Sequence, residues 1–507
     1  MEAVHGLALG LGVAFAPLNL LYCFIGVFLG TAVGVLPGLG PAAAIALLLP
    51  VTFAIPPTAS IIMLAGIYYG AMYGGSTTSI LLNVPGEAAS VVTCLDGYQM
   101  ARQGRAGAAL GISAFASFIA GSVGIVALAF AGPPLARLAL RFGPPEYFAL
   151  AVLGLTLVSW LGGGSMLKGL IAAALGLLVG TVGIDPIAGY QRFTFGLLTL
   201  SEGVNLVPVA MGLFGLGEVL ANAEKAVTRD ILRTKLAGLL PSREDWRRSL
   251  GPLGRGSVLG FLIGVLPGGG AIIASFASYA VERRLSKHPE RFGTGAIEGV
   301  AGPEAANNAA ASGAFIPLFT LGLPSNTATA MIFAALLLHG LRPGPLLFTQ
   351  SPDLVWGVIA SMYIGNVLLL ALNLPLIGIF VQMLRVPYPV LAPLIVLFCI
   401  VGAYSVNNSV IDVWILVVAG IVGWLFRRLA IDGAPLILAL ILGPIMENAL
   451  RQSLIASRGD FSTFLTRPIS AVLLTAAAVL VLVPVARWGR EVWTRRPARP
   501  ADAALSP

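Results

Sequence analysis

Long apolar stretches recur along almost the whole chain and constrain its fold more than any other feature. The stretches 108–131, 166–184, 354–382 and 469–486 approach or exceed the roughly 20 residues that a helix needs to cross the hydrocarbon core of a bilayer. Charged residues make up 10% of the chain, whereas an ordinary soluble domain has about 25%. The sequence therefore predicts a protein that crosses a membrane many times.

The composition of these stretches favours helices over a membrane barrel. They are continuous and rich in Leu, Ala and Gly, whereas barrel strands alternate polar and apolar residues over about ten positions. We therefore predict an all-α, polytopic integral membrane protein. No Lys or Arg precedes the first apolar run, so we expect the N-terminus to belong to the first membrane segment rather than to a cleaved signal peptide.

The chain shows no signal for a metal centre, a disulfide framework or nucleic-acid binding. Its three cysteines and three histidines are scattered, without the spacing of metal ligands: Cys23, Cys94, Cys399, His5, His288 and His339. The net charge of +8 comes largely from arginines in loops and the C-terminal tail, where they more often report membrane orientation than an acidic partner.

Two pairs of related motifs indicate an internal duplication. Residues 34–40 read GVLPGLG and residues 264–270 read GVLPGGG; residues 83–90, NVPGEAAS, correspond to residues 322–329, GLPSNTAT. We predict a first membrane repeat at 1–223 and a second at 254–450. A basic linker at 224–253 separates them, and 451–507 forms an extra transmembrane helix with a basic tail.

Charge placement gives an expected orientation. Because basic loops tend to stay in the cytoplasm, the linker and the tail are predicted to be cytoplasmic. The loop 282–292 carries four basic residues while its counterpart 53–59 carries none, which favours inverted repeats. Against this, the equivalent positions Arg141 and Arg385 are both basic.

The Gly and Pro residues of the motifs interrupt apolar segments. Such breaks free backbone groups and are tolerated only where protein or a watery cavity satisfies them. A kink or close helix packing would explain a single motif. Breaks at matched positions of two repeats instead indicate the substrate and ion site of a secondary transporter, built from broken helices or re-entrant hairpins. The candidate residues at the breaks are Pro37, Gly38, Pro85, Gly86, Pro267, Gly268, Gly269 and Pro324.

Neutral polar side chains surround the second pair of breaks. With backbone amides at a half-helix N-terminus they would hold a carboxylate, and their oxygens equally suit a hard cation such as sodium. Ser and Thr also line ordinary helix contacts in membrane bundles, but the two Asn residues favour a site. The candidates are Ser76, Thr77, Thr78, Asn83, Ser325, Asn326 and Thr327.

Acidic and amide residues near the breaks complete the candidate set. Glu87 directly follows a break, so it is expected to ligate a cation, to carry a proton, or to cap a helix start. Pro303 followed by Glu304 predicts a helix beginning, and Asn308 shares a face with Ser312. No Lys or Arg occurs in 24–98 or 293–341. An anionic substrate bound there would need helix dipoles, amides and a co-bound cation, which predicts cation-coupled transport.

Three long segments strongly resemble the large membrane subunit of the tripartite tricarboxylate transporters, the TctA family. They read GVLPGLGPAAAIALLLP, YYGAMYGGSTTSILLNVPGEAASVVTCLDGYQMARQGRAGAAL and EGVAGPEAANNAAASGAFIPLFTLGLPSNTATAMIFAALLLHGLRPGP. The resemblance extends over nearly the whole chain. It implies uptake of citrate or another small carboxylate across the bacterial inner membrane, driven by an ion gradient. It also implies two partners, a small four-helix membrane subunit and a periplasmic solute-binding protein.

A shorter match bears on the ion. Residues 325–327, SNT, resemble the sodium and carboxylate motif of the divalent anion/sodium symporters. This resemblance implies sodium at Ser325, Asn326 and Thr327, with Asn83 in the pseudo-symmetric half, and by analogy an elevator-like movement. No cofactor is expected apart from co-transported sodium or a proton.

Other functions remain as alternatives. The nearest is a stand-alone sodium/dicarboxylate symporter that works without a binding protein. A channel would also use Gly and Asn to line a pore. An intramembrane enzyme would have Ser312 and His339 as nucleophile and base. That pair has neither a third group nor a motif, so we predict no enzymatic activity.

Overall fold

The computed structural model of the protein describes residues 2–36, 40–161, 165–224, 238–268, 270–384, 386 and 388–494. Most of these residues are helical, and the predicted all-α polytopic membrane fold is confirmed. Within the described ranges, seven helices are long and apolar enough to cross a membrane. They are Pro17–Val35, Ala106–Ala139, Leu206–Ala223, Pro352–Asn373, Pro389–Asn407, Val410–Arg428 and Ala434–Ala456.

Ten α-helices precede the basic linker. They are α1 (Glu2–Ala14), α2 (Pro17–Val35), α3 (Pro41–Thr52), α4 (Pro57–Leu82), α5 (Val91–Arg102), α6 (Ala106–Ala139), α7 (Pro144–Leu161), α8 (Met166–Gly180), α9 (Leu206–Ala210) and α10 (Gly217–Ala223). Short 3₁₀ helices lie at Ala88–Ser90 and Leu198–Glu202, and a π-helical segment at Met211–Leu216 joins α9 to α10. Strands β1 (Gly183–Ile184) and β2 (Gln191–Arg192) form an antiparallel hairpin between α8 and α9.

Thirteen α-helices follow within the described ranges. They are α11 (Arg243–Val265), α12 (Gly270–Leu285), α13 (Glu298–Gly313), α14 (Phe315–Leu321), α15 (Thr327–Leu338), α16 (Leu347–Gln350), α17 (Pro352–Asn373), α18 (Ile377–Met383), α19 (Tyr388–Asn407), α20 (Val410–Arg428), α21 (Ala434–Ala456), α22 (Thr463–Thr466) and α23 (Pro468–Thr494). A 3₁₀ turn at Pro289–Arg291 follows α12.

Two predicted element boundaries are wrong, and proline explains each. The apolar stretch 354–382 is not one helix, because α17 ends at Asn373 and Pro375 lies in the turn before α18. Conversely, Pro303 does not begin a helix: α13 begins at Glu298 and contains Pro303. Pro303 is the sixth residue of α13, so it removes one backbone donor inside the helix.

Glycine lets α2 and α4 approach backbone to backbone. A Cβ on Gly26 would lie 2.3 Å from the carbonyl oxygen of Met63, and one on Gly34 would lie 2.3 Å from that of Ala71. Because both contacts advance by eight residues in the same direction, the two helices run parallel. Small residues allow this close contact in membrane bundles, where no hydrophobic effect drives helices together.

The corresponding pair of the second half, α11 and α13, packs in the same way. A Cβ on Gly256 would lie 2.4 Å from the carbonyl oxygen of Gly302, and one on Gly264 would lie 2.3 Å from that of Ala310. Helices α2 and α11 are each followed by a short helix, α3 and α12 respectively, that begins after a GVLPG motif.

Helices at matched positions of the two halves run in opposite directions. Ser76 of α4 contacts Glu304 of α13, while Tyr68, two turns earlier on α4, contacts Asn326 beyond the end of α14. Helix α6 contacts Asn366 of α17 at Phe118 and contacts Phe348, just before α17, at Gly132, so α6 and α17 also run in opposite directions. This is the arrangement that inverted repeats would produce, although the duplication itself stays a prediction.

Candidate functional site

The two breaks of the first half touch each other. Gly86 packs so closely that a Cβ there would lie 2.0 Å from the carbonyl oxygen of Gly34 and 2.7 Å from the Cα of Gly75. The hydroxyl of Thr78 donates a 2.6 Å hydrogen bond to the carbonyl oxygen of Val35, at the end of α2. The end of α4 is thereby fixed against the first residues of the GVLPG motif.

The two breaks of the second half also meet. The backbone N–H of Gly268 donates a 2.7 Å hydrogen bond to the carbonyl oxygen of Ser325. Gly268 has φ +77, and a Cβ there would lie 2.6 Å from the Cα of Val158, so both its conformation and its packing require glycine. Pro267 is half-buried and Pro324 is buried. The remaining candidates of the GVLPG motifs, Pro37, Gly38 and Gly269, lie outside the described residues.

Asn326 begins α15 and links it to the first half. Its side-chain oxygen accepts a 3.0 Å hydrogen bond from the N–H of Thr329, and its side-chain amide donates a 2.9 Å hydrogen bond to the hydroxyl of Tyr68. Thr327 is the first residue of α15 and is half-buried. Ser325 is fully buried, and its hydroxyl has no hydrogen-bond partner among the described residues.

Glu87 has the same role at the first-half break. One carboxylate oxygen accepts a 2.8 Å hydrogen bond from the N–H of Ala89, which caps the 3₁₀ helix before α5. The other oxygen lies 3.4 Å from the side-chain amide nitrogen of Asn307 on α13. Gly75 leaves the space for this carboxylate, since a Cβ there would lie 2.6 Å from the Cγ of Glu87.

Glu304 lies at the centre of the contact between the halves, and it was not among the residues predicted for the site. It is fully buried on α13. Ser76 of α4 donates a 2.6 Å hydrogen bond to one of its carboxylate oxygens, and Thr93 of α5 donates to the other. Ser117 of α6 lies 3.4 Å away. Three helices of the first half therefore supply hydroxyl groups to one carboxylate of the second.

Asn308 supports this arrangement. Its side-chain amide donates a 2.7 Å hydrogen bond to the hydroxyl of Ser117 and a 3.1 Å hydrogen bond to the backbone carbonyl of Glu304. The prediction that Asn308 lies near Ser312 on one helix face fits α13, because the hydroxyl of Ser312 donates to the carbonyl oxygen of Asn308. The neighbouring Asn307 contacts Glu87 instead.

Glu87 and Glu304 differ from the other buried glutamates in having no cationic partner among the described residues. Glu282 pairs with Arg255 at one end of the bundle, and Glu146 pairs with Arg467 at 3.2 Å. A buried carboxylate without a counter-charge is costly and marks a functional position in a membrane protein. The same criterion selected Glu87 from the sequence and applies to Glu304, which lies in a stretch of 49 residues, 293–341, without Lys or Arg.

Two other predicted site residues lie apart from these contacts. Asn83 is exposed and ends α4 in the left-handed conformation, with φ 55. Asn adopts this conformation more readily than other residues with a side chain, so helix capping accounts for its position. Thr77 is buried within α4.

The proposed nucleophile and base of an intramembrane enzyme are not hydrogen-bonded to each other. The hydroxyl of Ser312 lies within hydrogen-bonding distance of the backbone carbonyls of Asn308 and Gly121. His339 ends α15, and its Nε2 has no hydrogen-bond partner among the described residues.

Comparison with known proteins gives a family match and two relatives. The model of the tripartite tricarboxylate transporter TctA family matches residues 20–438. An Agrobacterium vitis protein, described as an uncharacterized 52.8 kDa protein in the TAR-I ttuC' 3' region, is 54% identical over 97% of this chain and 98% of its own length. A second protein of the same organism, from the TAR-II ttuC' 3' region, is 53% identical over 46% of this chain and 97% of its own length. No solved structure matches the chain.

Proposed function

The chain belongs to the tripartite tricarboxylate transporter TctA family, which is a family of transporters and not of enzymes, and we propose that it carries out binding-protein-dependent, cation-coupled uptake of small carboxylates. Citrate or another di- or tricarboxylate is the proposed substrate. The observation that carries the proposal is the pair of helix breaks at Glu87 in the first half and at Ser325 and Asn326 in the second, which lie at matched positions. We call these two breaks the junction.

The junction suits a carboxylate because it offers neutral donors at short half-helices. The 12-residue helix α15 begins at the junction with its N-terminus, where backbone N–H groups and the helix dipole favour negative charge. The hydroxyl of Ser325 is buried there without a partner among the described residues. A bound carboxylate would provide the acceptor that this hydroxyl lacks.

The charges around the junction are the argument for cation coupling. Glu87 lies at the first-half break, and Glu304 lies where α13 contacts α4, α5 and α6; both are buried and have no cationic partner in the described part of the chain. A substrate carboxylate about 5 Å from one ionised glutamate would be repelled by about 3 kcal/mol at an effective dielectric constant of 20. Co-binding of a sodium ion or a proton removes this repulsion, so substrate and cation would move together.

The proposed site for sodium is the one inferred from the sequence, at Ser325, Asn326 and Thr327 with Asn83. Serine, threonine and asparagine oxygens are suitable ligands for a hard cation. The contacts of Asn326 with Tyr68 and Thr329 support the second-half part of this site, because they hold the amide in place. The exposed position of Asn83 makes it the weakest member.

We place the protein in the bacterial inner membrane with a small four-helix membrane subunit and a periplasmic solute-binding protein as partners. Uptake in cells that express this chain with each partner deleted in turn tests that assignment. The proposal predicts loss of carboxylate accumulation without the binding protein. Undiminished accumulation without it would identify a stand-alone sodium/dicarboxylate symporter instead.

A further inference from the structure

We propose that Glu304 is a proton-carrying group that is protonated and deprotonated once in each transport cycle, which makes a proton a coupling ion of this transporter. The inference rests on the proposed transport function and assigns the role to a residue outside the sodium site at Ser325, Asn326 and Thr327. It is drawn from the hydrogen-bond geometry around one carboxylate.

Ser76 and Glu304 are in direct contact. The hydroxyl oxygen of Ser76 lies 2.6 Å from a carboxylate oxygen of Glu304, which is a hydrogen-bond distance between two oxygens. The Ser76 hydroxyl therefore donates directly to the Glu304 carboxylate.

The hydroxyl partners of Glu304 can satisfy its carboxyl group in both the ionised and the protonated form. The hydroxyl of Ser76 lies within reach of a second acceptor, the carbonyl oxygen of Met72, at 3.2 Å. When Glu304 is ionised, Ser76 donates to the carboxylate. When Glu304 is protonated, it donates to Ser76, and Ser76 turns its own hydrogen to Met72. The donors and acceptors of this contact therefore keep a hydrogen-bond partner when Glu304 is protonated.

Asp96 provides the contrast within the same chain. Its carboxylate is also fully buried, but one of its oxygens accepts hydrogen bonds from the backbone N–H groups of Gly293, Gly295 and Ala296 at 2.8–2.9 Å. Its other oxygen accepts a 2.9 Å hydrogen bond from the hydroxyl of Tyr279 on α12. Three backbone donors, which cannot accept, hold Asp96 against the loop 293–296, whereas Ser76, Thr93 and Ser117 offer Glu304 hydroxyl groups that can also accept.

The hydrogen bonds of Glu304 link its protonation to movement between the two halves. The hydroxyls of Ser76 and Thr93 belong to α4 and α5, on either side of the first-half break, while Glu304 belongs to the second half. A displacement of one half against the other would remove donors that stabilise the ionised form. The carboxylate would then take up a proton from the water on one side and release it on the other when the donors return.

The titratable groups that face Glu304 do not provide a counter-charge. Among the described residues they include Tyr73 from α4, Glu87 from the 3₁₀ helix and Cys94 from α5. Glu282 of α12 lies against the neighbouring Gly302, and its charge is paired with Arg255 of α11. Arg137 is the one titratable residue of α6 and lies in its last turn, far beyond Ser117. Helix α14 has no titratable residue.

The test uses the complex reconstituted in proteoliposomes that contain a pH-sensitive dye, with the small subunit and the binding protein. Under an inward proton gradient, we expect wild type to concentrate labelled carboxylate and to acidify the lumen. Glu304→Gln should lose concentrative uptake at least about tenfold and lose acidification, but should retain exchange of external for internal substrate, which needs no net proton movement. Glu146→Gln, a buried glutamate paired with Arg467, is the matched control and should behave as wild type.

Concentrative uptake with acidification by Glu304→Gln would overturn the inference, and so would wild-type uptake driven by sodium without acidification. A wild-type complex that moves no carboxylate under any gradient would instead overturn the proposed function, and this inference with it.

A second variant covers the case in which Glu304→Gln does not fold. Ser76→Ala leaves the carboxylate in place and removes one donor to its ionised form. The pH of half-maximal proton-driven uptake should then rise by about one unit, because a hydrogen bond to a charged group is lost. An unchanged pH profile would contradict a proton-carrying role for Glu304.

Discussion

At the scale of single residues, buried carboxylates in this chain are stabilised in different ways, and the difference separates structural from functional positions. Asp185, in the loop between α8 and α9, accepts hydrogen bonds from the backbone N–H groups of Ala188 and Ile187 and pairs with Arg451 at 2.8 Å. These interactions, led by the Ala188 N–H, lower the pKa of Asp185 to about 2. Within the described part of the chain, the side-chain partners of Glu304 are hydroxyl groups.

Asp185→Asn is therefore expected to destabilise the protein at neutral pH. The pKa of Asp185 is lower in the folded state than its ordinary value of 3.8, so its contribution is fully present above about pH 4 and is lost as the pH falls towards 2. Thermal unfolding in detergent at pH 7 should show a melting temperature lower by a few degrees. Glu202→Gln, at an exposed position, is the control, and an equal change in both variants would contradict the assignment.

The two asparagines that the sequence suggested for sodium are expected to respond differently to substitution. Asn83→Gly should reduce uptake less than Asn326→Ala, because Asn83 is the exposed member of the proposed sodium site and glycine keeps the left-handed conformation of that helix end at no steric cost. Asn326→Ala should reduce uptake strongly, since it removes both the cap of α15, worth about 1 kcal/mol, and the contact with Tyr68. Transport assays on the two purified variants decide this, and the reverse order of effects would exclude the second-half site.

At the scale of elements, glycine contacts between parallel helices hold each half together. The pairs α2/α4 and α11/α13 place carbonyl oxygens so close to glycine that no Cβ fits. These contacts orient the ends of α4 and α11 at the junction, and a small displacement there would separate Glu87 from Asn307.

Gly260→Ala should be severely destabilising. Its Cβ would lie 2.1 Å from the carbonyl oxygen of Ala306, and the backbone of α13 would have to move, at a cost of about 3 kcal/mol or more. Gly254→Ala on the same helix is the matched control, because no atom lies within 4 Å of its Cβ. Size-exclusion profiles and melting temperatures in detergent measure the difference; equal stability of the two variants would contradict the close approach of α11 and α13.

The sequence predicts the breaks but not their partners. Gly and Pro mark the ends of α4 and α11 because they act locally. The contact of Glu304 with Ser76 joins residues 228 positions apart, and no local pattern reports such a pair. Pro303 followed by Glu304 predicts a helix beginning, and this local pattern does not indicate that Glu304 is buried. Its burial depends on packing among helices from both halves.

At the scale of the whole molecule, ion pairs indicate which helix ends share a side of the membrane. Arg105 pairs with Asp245, and Arg248 pairs with Glu298, so α6, α11 and α13 begin at one end. At the opposite end the pair of Glu146 with Arg467 lies at the start of α7. The basic loop after α12 belongs to the first end, which the positive-inside tendency assigns to the cytoplasm.

Cysteine labelling tests this orientation. Phe195 lies in the loop after β2 and is 84% exposed, and the path of the helices puts it at the end opposite Lys287. A membrane-impermeant maleimide should label Phe195→Cys in intact cells and Lys287→Cys only after permeabilisation. The unsubstituted chain, with Cys23, Cys94 and Cys399, gives the background; labelling of both positions in intact cells would contradict the topology.

The most direct test of the central claim is uptake of a labelled carboxylate panel, including citrate, into proteoliposomes that contain this chain and its small subunit. Sodium and proton gradients are imposed separately, with and without the binding protein. We predict that at least one di- or tricarboxylate accumulates above its external concentration only when the binding protein and a cation gradient are both present. Equilibration without accumulation under every gradient would contradict cation-coupled transport and indicate a channel.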